Sequence, residues 1–281
     1  AKHVILHLLS RGAWTEAQAN GQLVAPSVAM EGFAHCSTEH QMVDVANKYY
    51  SGANNMVLLN IDPTKLTSQL KFEPPAHLDG SPALPHEPLF PHIYGPINFD
   101  AVIEVIDFPC DSKGHFSAPP QLNTFNVVNI AHVPHHWQRA AELSVSEWKK
   151  YFPNDTVQTY FDLYGLTGQY EGHFAETYIA LSTKDELLGM ATLVDDDELP
   201  ESNEPGPWLA AVLTVPSKRQ NGVGSTLVQQ VVKRAHQHGH RELFLYTADE
   251  QEWYAKKGWI PTRETELNGI AHTVMRLPLQ I

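Results

Sequence analysis

The chain has 281 residues, 42% hydrophobic and 18% charged, which is enough apolar material for two cores and more length than one domain usually takes. Its formal net charge is −13, with 6 Lys+Arg against 12 Asp+Glu up to Pro120 and 13 against 20 beyond it. Phosphate affinity comes mainly from clustered Lys and Arg, so this shared acidity, with no basic run, disfavours a nucleic-acid partner and tolerates a cationic or amine one.

No apolar stretch approaches the about 20 residues that cross a bilayer, so no membrane partner is expected. Cys36 and Cys110 are too few for a disulfide framework, and the N-terminus lacks a basic region and a cleavage site. These features predict a soluble, cytoplasmic protein. Its oligomeric state cannot be read from the sequence.

In chain order, residues 4–9 read as a buried strand, and residues 13–20 as a helix closed by Gly21. Residues 39–50 read as a second helix, closed near Gly52. The β-branched runs 56–61 and 101–106 predict buried strands. Between them, residues 73–91 carry six prolines, which predicts neither helix nor central strand but an ordered loop. Residues 109–120 have the composition of a linker, which places a domain boundary near 120: one domain over 1–120 and a second over 121–281. The first is an α+β mixture.

The second half alternates more regularly. A strand at 124–130 is followed by helices at 135–151 and 155–166, then by strands 176–181 and 187–194 joined by a hairpin at 184–186. An acidic loop over 195–206 precedes the strand 208–215. A glycine turn leads to the helix 225–238, then come the strand 243–247, a short helix at 250–257, and strands 260–266 and 270–277. Sixteen histidines are present, but none has companions at zinc spacing, and no metal is expected.

The strongest local motif is Arg219, Gln220, Asn221, Gly222, Val223 and Gly224, between an apolar strand and an amphipathic helix. A helix start presents unpaired N–H groups and a partial positive charge to an anion. Gly222 and Gly224 permit close backbone approach, and Arg219 adds a charge-assisted phosphate contact. Leu227, Val228, Val231, Val232 and Ala235 recur at helical spacing and bury one face of that helix, leaving its start open.

Arg219, Gly222 and Gly224 match the pyrophosphate signature of the GNAT acetyltransferase superfamily, which the second half resembles. The strand from Trp208 to Val215, ending at Pro216, the strand from Leu243 to Thr247, and the segment from Tyr254 to Gly258 and Trp259 stand in the family's order. The resemblance implies a GNAT-fold mixed sheet with flanking helices and acetyl-CoA as cofactor. It places the pantetheine arm along Leu213, Thr214 and Val215, and the pyrophosphate from Arg219 to Gly224 and Ser225. Acetyl would pass to a primary amine, such as a small amine, an aminoglycoside or a peptide N-terminus, by direct attack. Tyr254 stands where the family keeps the acid that protonates departing thiolate. Trp208 is a candidate wall of the acceptor pocket. Glu176, Asp195, Asp196, Asp197, Glu198 and Glu204 are candidates for a general base, and the sequence does not choose among them.

In the first half, the run from Glu31 through Phe33, His35, Cys36 and Ser37, the run from Phe90 through His92 to Pro96, and the opening Ile5, Leu6 and His7 resemble the domain-of-unknown-function family 952. That family's fold is similar to ADP-ribosyltransferases and RNA 2′-phosphotransferases, which implies an α+β domain with a cleft for NAD or a related nucleotide. His7, His35, Ser37 and Glu73 are then the polar candidates. His35 and His92 read equally well as loop-holding residues of a noncatalytic domain. Two further classes of function stay open: an acyl-CoA-binding sensor that contacts a partner, and nucleotide-directed chemistry in the first domain.

Overall fold

The computed structural model describes residues 4–75, 77, 79–216 and 222–280. The chain forms two compact units, Ala1–Asn126 with Leu181–Glu186, and Val127–Ala180 with Leu187–Ile281.

The first unit contains β1 (Ile5–Ser10), α1 (Arg11–Asn20), α2 (Pro26–Glu31), β2 (Ala34–His35), β3 (Ser37–Thr38), α3 (Met42–Tyr49), β4 (Met56–Ile61), β5 (Gln69–Glu73), β6 (Phe90–Tyr94) and β7 (Val102–Asp107). An antiparallel sheet runs β3-β1-β4-β7. Strand alternation sends Ile5, Leu9, Val57, Leu59 and Ile61 into one apolar cluster, and Leu6, Met56, Leu58 and Ile106 into another. Both faces of β1 and β4 are therefore covered, which is why their sequences are continuously apolar. Each such burial is worth about 1.5–3 kcal/mol. Ser10 caps α1 by accepting from the Ala13 N–H at 3.1 Å, and Gly21 ends it at φ 74°.

Three expectations for this unit need correction. β7 is not a buried strand: it lies at the sheet edge, with Ile103 51% exposed and only Ile106 deeply covered. The proline-rich segment supplies Phe90 and Pro91 to β6, the middle strand of a second sheet ordered β2-β6-β5. Proline is tolerated there because it stands at the second position of the strand and its carbonyl accepts from the Cys36 N–H at 3.1 Å. The linker-like segment 109–120 is folded onto the first unit: Phe116 stacks on Phe108 at 4.7 Å and enters the same cluster as Leu6. A single aromatic anchor outweighed the polar, proline-bounded composition around it.

The second unit is built on one sheet ordered β13-β14-β12-β11-β10-β9-β8. In sequence it comprises β8 (Phe125–Asn129), α4 (Trp137–Trp148), α5 (Val157–Gly165), β9 (Ala175–Ser182), β10 (Leu187–Val194), β11 (Trp208–Thr214), α6 (Val223–Gln237), β12 (Glu242–Thr247), α7 (Gln251–Ala255), β13 (Ile260–Leu267) and β14 (Ile270–Pro278). Thr156 caps α5 in a reciprocal capping box with Thr159.

Neighbouring residues of β10 show which helices cover which face. A Cβ at Gly189 would meet Val223 and Leu227 of α6. The next residue, Met190, receives the Ser144 hydroxyl of α4 at 3.2 Å. Successive strand residues point to opposite faces, so α6 covers one side of the sheet while α4 and α5 cover the other.

Candidate functional site

β10 and β11 pair antiparallel, as do β12 and β14, but β11 and β12 run parallel. This parallel pair is joined at one register, Trp208 with Phe244, where the Phe244 N–H donates to the Pro207 carbonyl at 3.0 Å. Beyond that point the strands separate. On the other side of β11, a bulge sets Ala211 and Val212 opposite the single residue Ala191, and Ala211 adopts φ 54°. A bulge takes amides out of their ladder, here on the strand that borders the opening. Val215 donates its N–H to Leu188 at 2.9 Å, which pairs Val215 and, two residues back, Leu213 toward β10. By alternation, Thr214 between them directs its backbone groups to the open side.

α6 begins immediately past this edge. Its cap is Gly222 at φ 80°, a left-handed conformation suited to glycine, and the Thr226 hydroxyl returns to the Gly222 carbonyl at 2.9 Å. A Cβ at Gly224 would stand 3.2 Å from Thr214 Oγ1 and 3.6 Å from the Trp253 ring. Val223, Leu227, Val228, Val231 and Ala235 are buried, as the helical pattern implies. Val232 is half-buried and lines a groove with Lys233, His236, Lys257 and Trp259. Lys257 reaches Ser225 Oγ at 2.8 Å and lies over the Trp253 ring. Arg219, Gln220 and Asn221, the predicted phosphate contacts, lie outside the described residues.

Tyr254 is buried, in edge contact with Trp253 at 4.8 Å and with Trp259 at 5.9 Å. Trp253 therefore links it to the start of α6. Burial, and secondarily the Glu250 charge, raises its phenol well above the usual range, so it keeps its proton at neutral pH. Trp208 is 2% exposed and packs on Phe244 and Tyr246.

The six candidate bases differ in their surroundings, and Glu198 is exposed. Glu176 is held by Arg234 through two contacts of 2.9 Å, by His238 at 2.9 Å and by Tyr178 at 2.9 Å. Burial pulls its carboxyl up, but these partners together hold it below the usual value. Glu204 takes Arg263 at 2.7 and 3.1 Å, which lowers it to about 2. Asp195 pairs with His173 at 2.7 Å, while Asp196 accepts from the Glu198 N–H at 2.9 Å. Asp197 differs. It has no cationic partner among the described residues, and burial pushes its carboxyl up to about 8 against a lowering contact from the Tyr246 hydroxyl. The histidines near the end of α6 are also engaged, His238 with Glu176 and His240 with Tyr170 at 2.7 Å.

In the first unit, the four predicted polar residues do not converge. His7 is buried, with Nδ1 2.9 Å from the His35 carbonyl, and burial lowers its pKa. Ser37 is buried and pairs with Leu6. His35 and Glu73 instead share the outer face of the β2-β6-β5 sheet with residues that sequence reasoning left out of the candidate set. His92 Nδ1 lies 3.1 Å from Glu73, Tyr94 donates to Glu73, and Phe33 stacks on His92 at 3.9 Å. The signal was present in the alternation of Phe90, His92 and Tyr94 against the core residue Ile93. Cys36 is buried and its thiol is raised by desolvation, which suits an inert side chain.

A seven-stranded mixed sheet with flanking helices, an open parallel pair and a glycine-started helix at its mouth matches a GNAT fold. Residues 137–259 match the model of the acetyltransferase (GNAT) family, and residues 8–105 match that of the protein family of unknown function DUF952. The chain thus joins a DUF952 domain to a GNAT acetyltransferase domain. It is an acetyltransferase of the GNAT type, and proteins of that family use acyl-CoA.

Among solved structures, a Caulobacter crescentus protein is 30% identical, with 41% of this chain and 93% of that one covered at a TM-score of 0.34. A Staphylococcus aureus GNAT-family acetyltransferase is 13% identical over 56% of this chain and 99% of that one, at a TM-score of 0.44. Spermidine N-acetyltransferase from Vibrio cholerae, solved with CoA and spermine, is 12% identical over 56% of this chain and 96% of that one, at a TM-score of 0.43. No curated protein matches the chain. Among the described residues, no helix is long and apolar enough to cross a membrane.

Proposed function

We propose that the second unit transfers acetyl from acetyl-CoA to a primary amine by direct attack, with no covalent enzyme intermediate. The observation that carries this is the β11–β12 pair, joined at one register and then open, with the start of α6 at its edge. The pantetheine arm lies along β11, where Thr214 offers the backbone groups that β10 leaves free. The pyrophosphate sits at Gly222, Val223, Gly224 and Ser225, where unpaired helix N–H groups and Lys257 favour an anion. By the sequence motif, Arg219, Gln220 and Asn221 are assigned further phosphate contacts.

An N–H freed by the bulge at Ala211 and Val212 donates to the thioester oxygen as it gains charge, a contact that strengthens in the transition state. The amine nitrogen attacks the carbonyl carbon, the C–S bond breaks, and Tyr254 protonates the departing thiolate. A phenol that burial keeps protonated suits that role.

Calorimetric titration with acetyl-CoA, run beside Arg219→Ala, tests the cofactor assignment. Saturable binding by the wild type and its loss in the variant are expected. A wild type that shows no heat at millimolar acetyl-CoA would remove the assignment.

A further inference from the structure

The first unit carries a cluster of titratable side chains that acetyl transfer in the second leaves unused. It stands on the sheet ordered β2-β6-β5, whose strands turn alternate residues to opposite faces. Ala34, Ile93 and Leu70 turn to the apolar cluster of the unit. His35, His92, Tyr94, Lys71 and Glu73 therefore share the other face. There His35 of β2 stands directly opposite His92 of β6, which in turn stands opposite Lys71 of β5. Opposed residues of antiparallel strands have Cβ atoms about 4.5–5.5 Å apart, so strand register makes the two imidazoles neighbours. Their ring centroids are 5.7 Å apart, with the planes at 82°.

Each ring is tied to its own carboxylate. His35 Nε2 lies 2.6 Å from Glu31 Oε2, and His92 Nδ1 lies 3.1 Å from Glu73 Oε1. These contacts use a different nitrogen in each ring and leave Nδ1 of His35 and Nε2 of His92 for a further ligand. Phe33 stacks on His92 at 3.9 Å and meets His35 edge-on at 5.0 Å, so it braces both rings. Glu73 is held in turn by the Tyr94 hydroxyl, and Lys71 lies over the Tyr94 ring at 4.6 Å.

Two carboxylates against one lysine make this face attractive to a cation. Magnesium and calcium seek oxygen ligands, whereas paired imidazoles suit zinc. A metal-binding imidazole characteristically donates its other N–H to a carboxylate, which fixes the ring and strengthens it as a ligand. Both rings here have that partner. The spacing also fits. Two imidazoles on one tetrahedral ion, with metal–nitrogen bonds of about 2.0–2.1 Å, place their centroids about 5 Å apart. The observed separation is within 1 Å of that value.

We propose that His35 and His92 bind one zinc ion, that Glu31 and Glu73 orient their rings from behind, and that water fills the remaining positions. Sequence spacing hides such a site, because strand register and not chain proximity brings positions 35 and 92 together. The site is independent of the acetyltransferase reading.

The test is calorimetric titration of the chelator-treated full chain with zinc chloride, and with magnesium chloride beside it. Wild type should bind zinc saturably and show no saturable heat with magnesium. Glu31→Gln keeps both rings but loses one orienting carboxylate, and should raise the zinc Kd by about tenfold. Loss of a direct ligand costs more, so His35→Gln should raise it by more than about tenfold. The His35 side chain is 58% exposed, so this variant should unfold without metal at nearly the wild-type temperature. Copper(II) in place of zinc should give an electron paramagnetic resonance spectrum split by two imidazole nitrogens, reduced to one in His35→Gln and kept at two in Glu31→Gln.

Zinc bound elsewhere on the chain would survive His35→Gln, so a zinc affinity unchanged by that substitution overturns the assignment. So does a wild type that binds no zinc, or a copper spectrum that His35→Gln leaves as it was. An unchanged affinity in Glu31→Gln would remove the orienting role of that carboxylate.

Discussion

Gly222 and Gly224 start the same helix for different physical reasons, and substitution separates them. A Cβ at Gly222 meets nothing within 4 Å, but the residue holds φ 80°. Forcing an alanine into that left-handed conformation costs about 1–2 kcal/mol, which in a unit of this size lowers Tm by roughly 2–8 °C. Asparagine tolerates the same region, so Gly222→Asn should recover most of the loss. Gly224 has no such backbone demand. Its Cβ would meet Thr214 Oγ1 at 3.2 Å and the Trp253 ring at 3.6 Å, at the mouth where the cofactor is proposed to enter.

Gly224→Ala exchanges glycine for a better helix former, worth about 0.5–1 kcal/mol, which offsets much of the crowding. Gly224→Val adds two methyl groups that must displace Trp253 or fill the opening. Thermal unfolding and calorimetric titration with CoA read the two effects apart. Gly222→Ala should lower Tm and change Kd little once folded. Gly224→Val should raise Kd by at least about tenfold, equivalent to about 1.4 kcal/mol, with a smaller fall in Tm. A Gly224→Val protein that binds CoA as the wild type does would refute placement of the cofactor at this helix start. An unchanged Tm for Gly222→Ala would refute the account of the cap.

Tyr254→Phe should lower kcat by about 100-fold or more while leaving the Kd for acetyl-CoA unchanged. Unchanged turnover would reduce Tyr254 to a packing residue between Trp253 and Trp259. Glu204 is lowered from 4.5 to about 2 by Arg263, so its share of the stability is complete above about 4.5 and is lost as pH falls toward 2. Melting curves of wild type and Arg263→Gln should therefore converge on acidification between those values. A gap that stays constant with pH would mean that the ion pair contributes nothing through ionisation.

Local chemistry made much of the second unit legible in the sequence. Helical spacing marked the buried face of α6, apolar runs marked β10 and β11, and glycine marked the left-handed start at Gly222. In the first unit, the same local rules placed a helix at 13–20 closed by Gly21, within α1, and β4 from Met56 to Ile61. They failed where a distant partner decides. Nothing local distinguishes β7 at an edge from a covered strand, because burial depends on which strands stand beside it. Pro91 enters a central strand because β2 comes to it with an N–H to be accepted. Phe116 holds the linker-like segment because Phe108 offers a ring to stack on.

The candidate site divides in the same way. The sequence named the six acids of the base set but had no means to rank them, since all are carboxylates on or near one polar loop. Only the fold brings Arg234 and His238 to Glu176 and Arg263 to Glu204, from segments 58 to 62 residues away in sequence, and leaves Asp197 beside Tyr246 without a cation. Residue type is written in the chain. The dielectric and the partners that set each group's charge are made by residues far apart in sequence, and they exist only once the sheet has formed.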